Sequence, residues 1–186
     1  MTTSKLRGAI MTQIPIVETE RLLLRGWKES DLDPLSHMMA NPEVTRFIGG
    51  VQPRSSVWRA IAMYVGLWAL RGYGFWVVER KSDGAFLGRV GLWRPESWPD
   101  IELAWSLDRP YWGNGYATEA ARAVIDYGFL NLEVPKLVSL INPENGASQR
   151  VAMRLGETKG PPITVELYGQ SFSPDVWELG RDRRSA

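Results

Sequence analysis

The sequence contains no cysteine and a single histidine, His37. Structural disulfides, thiolate metal sites and cysteine nucleophiles are thereby excluded, and so are histidine-clustered metal centres. No metal is expected. Charge of neither sign dominates: 22 Lys+Arg stand against 21 Asp+Glu, a net charge of +1. Bulk charge therefore gives no case for a nucleic-acid partner. No apolar run reaches membrane-spanning length, and the opening stretch MTTSKLRGAIMTQ lacks the apolar block of a secretory signal. The expectation is a soluble, cytoplasmic protein without a membrane partner. Internal repeats, low-complexity tracts and linkers are also missing.

What is present is a chain of 186 residues, long enough for one domain with a real core. We expect residues 1–14 to be a flexible extension and 15–186 a single domain. Nine tryptophans are many for this length, and most should pack in the core, leaving a minority to line a pocket.

RLLLRGW (Arg21–Trp27) reads as a first strand, and ESDLDPLSHMMA as a short helix with Pro34 in its first turn. PRSSVWRAIAMYVGLWALRGYG reads as a longer helix capped at Ser55 or Ser56, with an apolar stripe at Val57, Ile61, Tyr64/Val65 and Trp68. FWVVER, AFLGRVGLW and IELAWSL are three successive strands. Their connections are too short for crossover helices, so they should run antiparallel. A helix to about Tyr127, the strand KLVSLI, a helix ending at Gly156 and the strands ITVELY and DVWELG complete the order. The fold class is α/β (α+β): a mixed, mostly antiparallel sheet of about seven strands with about four helices.

RPYWGNGYATEAARA (Arg109–Ala123) feeds a glycine-rich turn into a helix. A dinucleotide fingerprint needs a parallel βαβ unit and a third Gly or Ala three positions after the second glycine, where Thr118 stands. A triphosphate loop needs Gly-Lys-Ser/Thr, where Gly115-Tyr116-Ala117 stands. Both fail. Free amides at a helix start suit an anion such as phosphate. An ordinary Gly-rich strand-to-helix turn remains the alternative for the bare motif.

Four segments in order resemble the GNAT acetyltransferase superfamily, in particular its ribosomal-protein N-acetyltransferase (Rim-type) branch. They are ETERLLLR, GFWVVERKSDGAFLGRVGL, YWGNGYATEA and NPENGASQRVAMRLG, and the resemblance spans residues 15 to about 181. It implies the acyl-CoA N-acyltransferase fold with its sheet split in a V. It also implies acetyl-CoA as cofactor, CoA as product and transfer to a primary amine. The pyrophosphate would lie on Trp112, Gly113, Asn114, Gly115, Tyr116, Ala117 and Thr118, Trp112 standing where the superfamily has Gln or Arg. The pantetheine arm would pair with the backbone of Trp105, Ser106 and Leu107. Asn142 and Asn145 match positions that meet its amides, although NPEN is also turn chemistry.

Attack on a thioester needs a neutral amine, a polarised carbonyl and, where the thiolate needs it, a proton. An α-amine with a pKa of about 7.7–8.0 is roughly one-tenth neutral at pH 7 and asks little of a base, whereas a lysine amine at about 10.4 asks far more. Glu102 is the candidate base, on the strand face shared with Ala104 and Ser106 and opposite Ile101, Leu103, Trp105 and Leu107. A solvated strand glutamate is the competing reading. The superfamily's helix tyrosine falls on Ala152, so that acid is missing. Ser148 matches a serine that the branch places near the thiol, and it is the second catalytic candidate. Acceptor contacts are expected around Phe47, Trp58, Trp98, Tyr168 and Phe172, while His37 is taken as structural.

The resemblance thus implies an acetyl-CoA-dependent N-acetyltransferase acting by direct attack in a ternary complex. The acceptor would be a protein or peptide N-terminal α-amine or a small-molecule amine, and a homodimer is left open. The competing class is an acyl-CoA-binding or sensing module without turnover.

Overall fold

The computed structural model describes residues 13–96, 98–167 and 170–184. Ten strands and five α-helices follow in chain order. They are β1 (Val17–Glu18), β2 (Leu22–Arg25), α1 (Leu32–Met39), α2 (Pro42–Thr45), α3 (Arg54–Arg71), β3 (Phe75–Arg80), β4 (Phe86–Trp93), β5 (Glu102–Leu107), α4 (Tyr116–Asn131), β6 (Lys136–Ile141), α5 (Gly146–Leu155), β7 (Thr158–Pro162), β8 (Val165–Leu167), β9 (Gln170–Phe172) and β10 (Asp175–Gly180).

Eight of the strands form one sheet in the order β1-β2-β3-β4-β5-β6-β10-β7, and β8 and β9 form a separate hairpin. Every pairing in the main sheet is antiparallel except β5 with β6. That parallel contact has one paired rung, Glu102 with Val138, after which the two strands diverge. The divergence is the V.

The α/β class with a mostly antiparallel sheet is as read from the sequence, but the count of elements is higher. The sequence TKGPP adds an unforeseen strand, β7, and its two prolines are tolerated because β7 pairs on one side only. ITVELY contributes only Val165–Leu167, which leaves the main sheet for the hairpin. The long helix α3 is capped by Pro53, not Ser55 or Ser56, and its first carbonyl already accepts from Ser56 and Val57 N–H. Helix α4 runs on to Asn131, four residues beyond Tyr127.

The main core lies between the sheet and α4. It holds Leu22, Leu24, Val90, Leu92, Leu103, Ala120, Ala121 and Val124, all essentially inaccessible. Trp68 and Trp76 pack edge to face with centroids 4.5 Å apart, and Tyr127 closes the trio. Ile14 packs against this core and Trp76 Nε1 donates to Pro15 O at 2.7 Å, so the residues just before β1 are tied down. A second cluster joins Leu35, Met38 and Met39 of α1 to Val44 and Val57, on the opposite side of the sheet from α4. Among the described residues, no helix is long and apolar enough to cross a membrane.

Candidate active site in the split sheet

Beyond the Glu102–Val138 rung, β5 keeps β4 as its only strand partner, with pairings from Trp93–Glu102 to Gly88–Leu107. Strand alternation decides which backbone groups face the split. Asp108 N donates to Leu87 O, so the even-numbered residues of β5 bond toward β4. The odd-numbered ones face outward. Ile101 O accepts from Val138 N at 3.1 Å, Leu103 O from Ser139 Oγ at 2.8 Å, and Leu107 O from Trp112 Nε1 at 2.7 Å. Trp105 keeps both its N–H and its C=O open toward the gap. An extended guest with its own amides can add there as a strand does. Of the three backbone positions read from the sequence, Trp105 is therefore open, Leu107 is half occupied and Ser106 faces the wrong way.

The turn into α4 is the second component. Gly113 and Gly115 adopt φ of +78° and +79°, the left-handed region that glycine enters without strain. Gly115 caps α4 with no side-chain hydrogen bond. None of the backbone N–H groups of residues 113–118 donates to another described residue. Six successive free amides at the positive end of a 16-residue helix form an anion cradle. The loop is held from outside: Arg21 Nη1 donates to Asn114 O at 3.1 Å, and Arg21 is paired with Glu119 at 2.6 Å. Glu119 also accepts from Thr19 Oγ1 and from Arg21 N. Arg21 and Glu119 lie 98 residues apart, and no motif in the sequence announces the pair.

Glu102 is the third component. It lines a cavity together with Ala104, Trp105, Asn142, Asn145 and Ser148, so both catalytic candidates and both asparagines converge there. Its carboxylate accepts from Trp98 Nε1 at 2.7 Å and from the backbone of Leu140 across the split. Burial pushes the Glu102 pKa up to about 7 from 4.5, and the nearby Glu157 adds to the rise. The donors Trp98 and Leu140 and the charge of Arg89 oppose it. A carboxyl poised near neutrality can take a proton at physiological pH.

Ser148 and the asparagines have local duties as well. Asn145 caps α5 by accepting from Ser148 N at 3.1 Å, and Asn142 Oδ1 accepts from Glu144 N at 2.9 Å. Their side-chain oxygens are thus used in the turn, and their amide N–H groups are what they can offer to a ligand. Ala152 is fully buried against Ile141 and Trp177, so no acid stands at that helix position.

Among the expected acceptor contacts, Phe47 lines the cavity and Trp98 instead holds Glu102. Phe172 packs on Trp98 with centroids 6.0 Å apart, which brings the β8–β9 hairpin to the site. Trp58 is exposed on α3 and does not line the cavity, and Tyr168 lies outside the described residues. Two groups were missed altogether. Glu157 is buried within 3.0 Å of Ser139 Oγ, and burial pushes its pKa up to about 7. Arg89 lines the same cavity from β4. A larger cavity between α4 and α5, around Arg122, Asp126 and Arg154, holds none of the expected site residues. Among the described residues, no group of three His, Asp or Glu is placed to hold a metal ion.

Comparison with known proteins bears on the family and the fold. The profile of the acetyltransferase (GNAT) domain family matches residues 21–158. The YkkB protein of Bacillus subtilis is 37% identical over 146 residues, covering 74% of this chain and 82% of its own. The N-acetyltransferase YoaA of the same organism is 28% identical over 176 residues, covering 91% and 98%. The crystal structure of an acetyltransferase from Agrobacterium tumefaciens superposes with a TM-score of 0.80 at 31% identity, over 91% of this chain and 96% of that one. A structure of the ribosomal L7/L12 α-N-protein acetyltransferase RimL in complex with coenzyme A shares the fold at 18% identity, TM-score 0.75, over 90% and 99% of the two chains.

Proposed function

The chain belongs to the GNAT acetyltransferase family, and on that premise we propose that it uses acetyl-CoA to acetylate a primary amine by direct attack in a ternary complex. The carrying observation is that Glu102 lines the cavity at the fork of the split sheet and is followed along the chain by the open Trp105 backbone and the free amides of residues 113–118. That series matches the length-wise chemistry of CoA: a diphosphate for the cradle, an amide-bearing arm for the open edge and a thioester for the fork.

In this reading the backbone N–H groups from Gly113 to Thr118, flanked by Trp112, hold the pyrophosphate. Trp105 pairs with the pantetheine arm, and the amide groups of Asn142 and Asn145 meet its polar atoms. Ionised Glu102 takes a proton from the acceptor ammonium, directly or through a water. The free amine then attacks the thioester carbonyl, the C–N bond forms, the C–S bond breaks, and the second amine proton passes to the departing thiolate, directly or through a water, to give CoA. Ser148 hydrogen-bonds the departing sulfur. The acceptor is an α-amine of a protein or peptide or a small-molecule amine.

The test is calorimetry with CoA, followed by thiol release from acetyl-CoA with an amine panel. Binding in the micromolar range and acceptor-dependent release are expected. Binding without release from any acceptor would indicate a sensing module instead, and absence of binding would remove the cofactor assignment.

A further inference from the structure

Arg89 and Glu102 are the only charged residues among the described ones that line the cavity. They rise from the same face of adjacent strands. Arg89 pairs across with Ser106 and Trp93 with Glu102, and between those rungs lies the Gly91–Ala104 rung. The four-residue offset puts the two charged rungs about 14 Å apart along the sheet, with a floor of the smallest side chains between them. Both side chains line the one cavity over that floor, and Arg89 acts on Glu102 through its charge.

The Arg89 guanidinium is held in place yet incompletely satisfied. It is stacked beside the rings of Tyr64 and Phe75, 4.9 and 4.6 Å from their centroids, and Nη1 donates to the Tyr64 hydroxyl. Its Nε is buried without a hydrogen-bond partner. No carboxylate of a described residue lies within ion-pairing distance of it. An oriented cation in a site for an ammonium group repels its substrate unless the substrate brings an anion.

We infer that the acceptor is a zwitterion, a free α-amino acid whose carboxylate pairs with Arg89 while its amine faces Glu102. This rests on the acetyltransferase reading above and narrows it to one substrate class. Phe47, Ile48 and Phe75 wall the same cavity, which favours an apolar side chain. The pairing also serves the chemistry. A free carboxylate beside an amine favours the charged ammonium, and neutralising it with a guanidinium removes that effect, so the amine loses its proton more readily. A protein N-terminus has a neutral peptide carbonyl in that place and leaves the cation without an anion.

The experiment uses leucine, methionine and phenylalanine, each beside its α-carboxamide. Affinity for the CoA-loaded protein is read by calorimetry, and kcat/KM is read with acetyl-CoA. The expected result is that the free acids bind about tenfold or more tightly than the amides. The preference should fall to near one in Arg89→Gln and be kept in part in Arg89→Lys, with CoA affinity unchanged in both. Equal or better binding of the amides, a preference that survives Arg89→Gln, or no binding of either series to the CoA-loaded protein would overturn the inference. Failure of CoA itself to bind would instead strike the acetyltransferase reading. The binding arm still reads the preference if no acceptor turns over.

Discussion

The indole Nε1 of Trp98 donates to Glu102 Oε2 across 2.7 Å, from a loop that enters β5 four residues earlier. The bond favours the ionised carboxylate and so works against the burial that lifts Glu102 to about 7. Trp98 is itself covered by Phe172 from the β8–β9 hairpin. The protonation of the proposed base is thus tied to a distant segment.

Removing that donor should move the pH profile. A base acts when ionised, so activity should rise with pH through about 7 in the native protein. In Trp98→Phe the ionised form loses a hydrogen bond, the Glu102 pKa rises further, and the acid limb of kcat should move to higher pH. A limb that stays in place would separate Trp98 from the protonation of Glu102.

Glu102→Gln should lower kcat by roughly 10²–10⁴-fold and leave CoA affinity within a factor of about three. Ser148→Ala should cost less, because a hydroxyl that only hydrogen-bonds a leaving sulfur contributes roughly a single neutral bond, about 1 kcal/mol. A Ser148→Ala loss equal to that of Glu102→Gln would promote the serine to the acid. A flat rate from pH 6 to 9 in both native protein and Glu102→Gln would remove Glu102 as the base.

Much of this was open to reading along the chain. The antiparallel strands from Phe75 to Leu107 announce themselves by length and turn chemistry, and the Gly113–Gly115 turn by its two glycines ahead of a small-residue helix. The alternation through IELAWSL sets Glu102 with Ala104 and Ser106, and no bulge disturbs it. Backbone direction was harder. Side-chain faces and hydrogen-bond faces alternate in the same strand, and only long-range bonds such as Asp108–Leu87 and Val138–Ile101 tell which residues point their backbone groups into the split. That is why the sequence groups Ser106 with Trp105, whereas in the structure its backbone groups turn toward β4. Arg89 and Glu157 were illegible for another reason. Arg89 looks like a routine polar residue within a strand and Glu157 like one beside a strand, and the meaning of each comes from partners on other elements: Tyr64 and Phe75 for the first, Ser139 for the second.

The cradle gives a sharper test than the catalytic groups. Gly115 has only the Arg21 side chain near its open face, at 3.6 Å from a would-be Cβ, and its φ is positive. Gly115→Trp should fill the space over the free amides, strain the turn and abolish measurable CoA binding by calorimetry. Arg21→Ala should weaken it more mildly, by loosening Asn114 and Glu119. Native CoA affinity in Gly115→Trp would contradict the pyrophosphate assignment.

Glu157 supplies a test with two readouts. Ser139 has one hydroxyl proton but lies 2.8 Å from Leu103 O and 3.0 Å from Glu157 Oε1. Both contacts are hydrogen bonds only if Ser139 donates to Leu103 and a protonated Glu157 donates to Ser139. Burial agrees, lifting Glu157 to about 7 from 4.5. The folded protein therefore holds a proton that the unfolded chain releases between those two values. The stability this contributes is fully present below about 4.5 and is lost as pH rises through about 7, a change of about 3 kcal/mol for this residue. Glu102 contributes in the same direction. Glu157→Gln keeps a donor toward Ser139 and cannot ionise. Its unfolding free energy in urea should fall less between pH 5 and 8, and at pH 8 it should exceed that of the native protein. Because Glu157 also raises Glu102 through like charge, the acid limb of kcat should move to lower pH, opposite to Trp98→Phe. A variant with the native pH slope in both stability and activity would place the proton elsewhere.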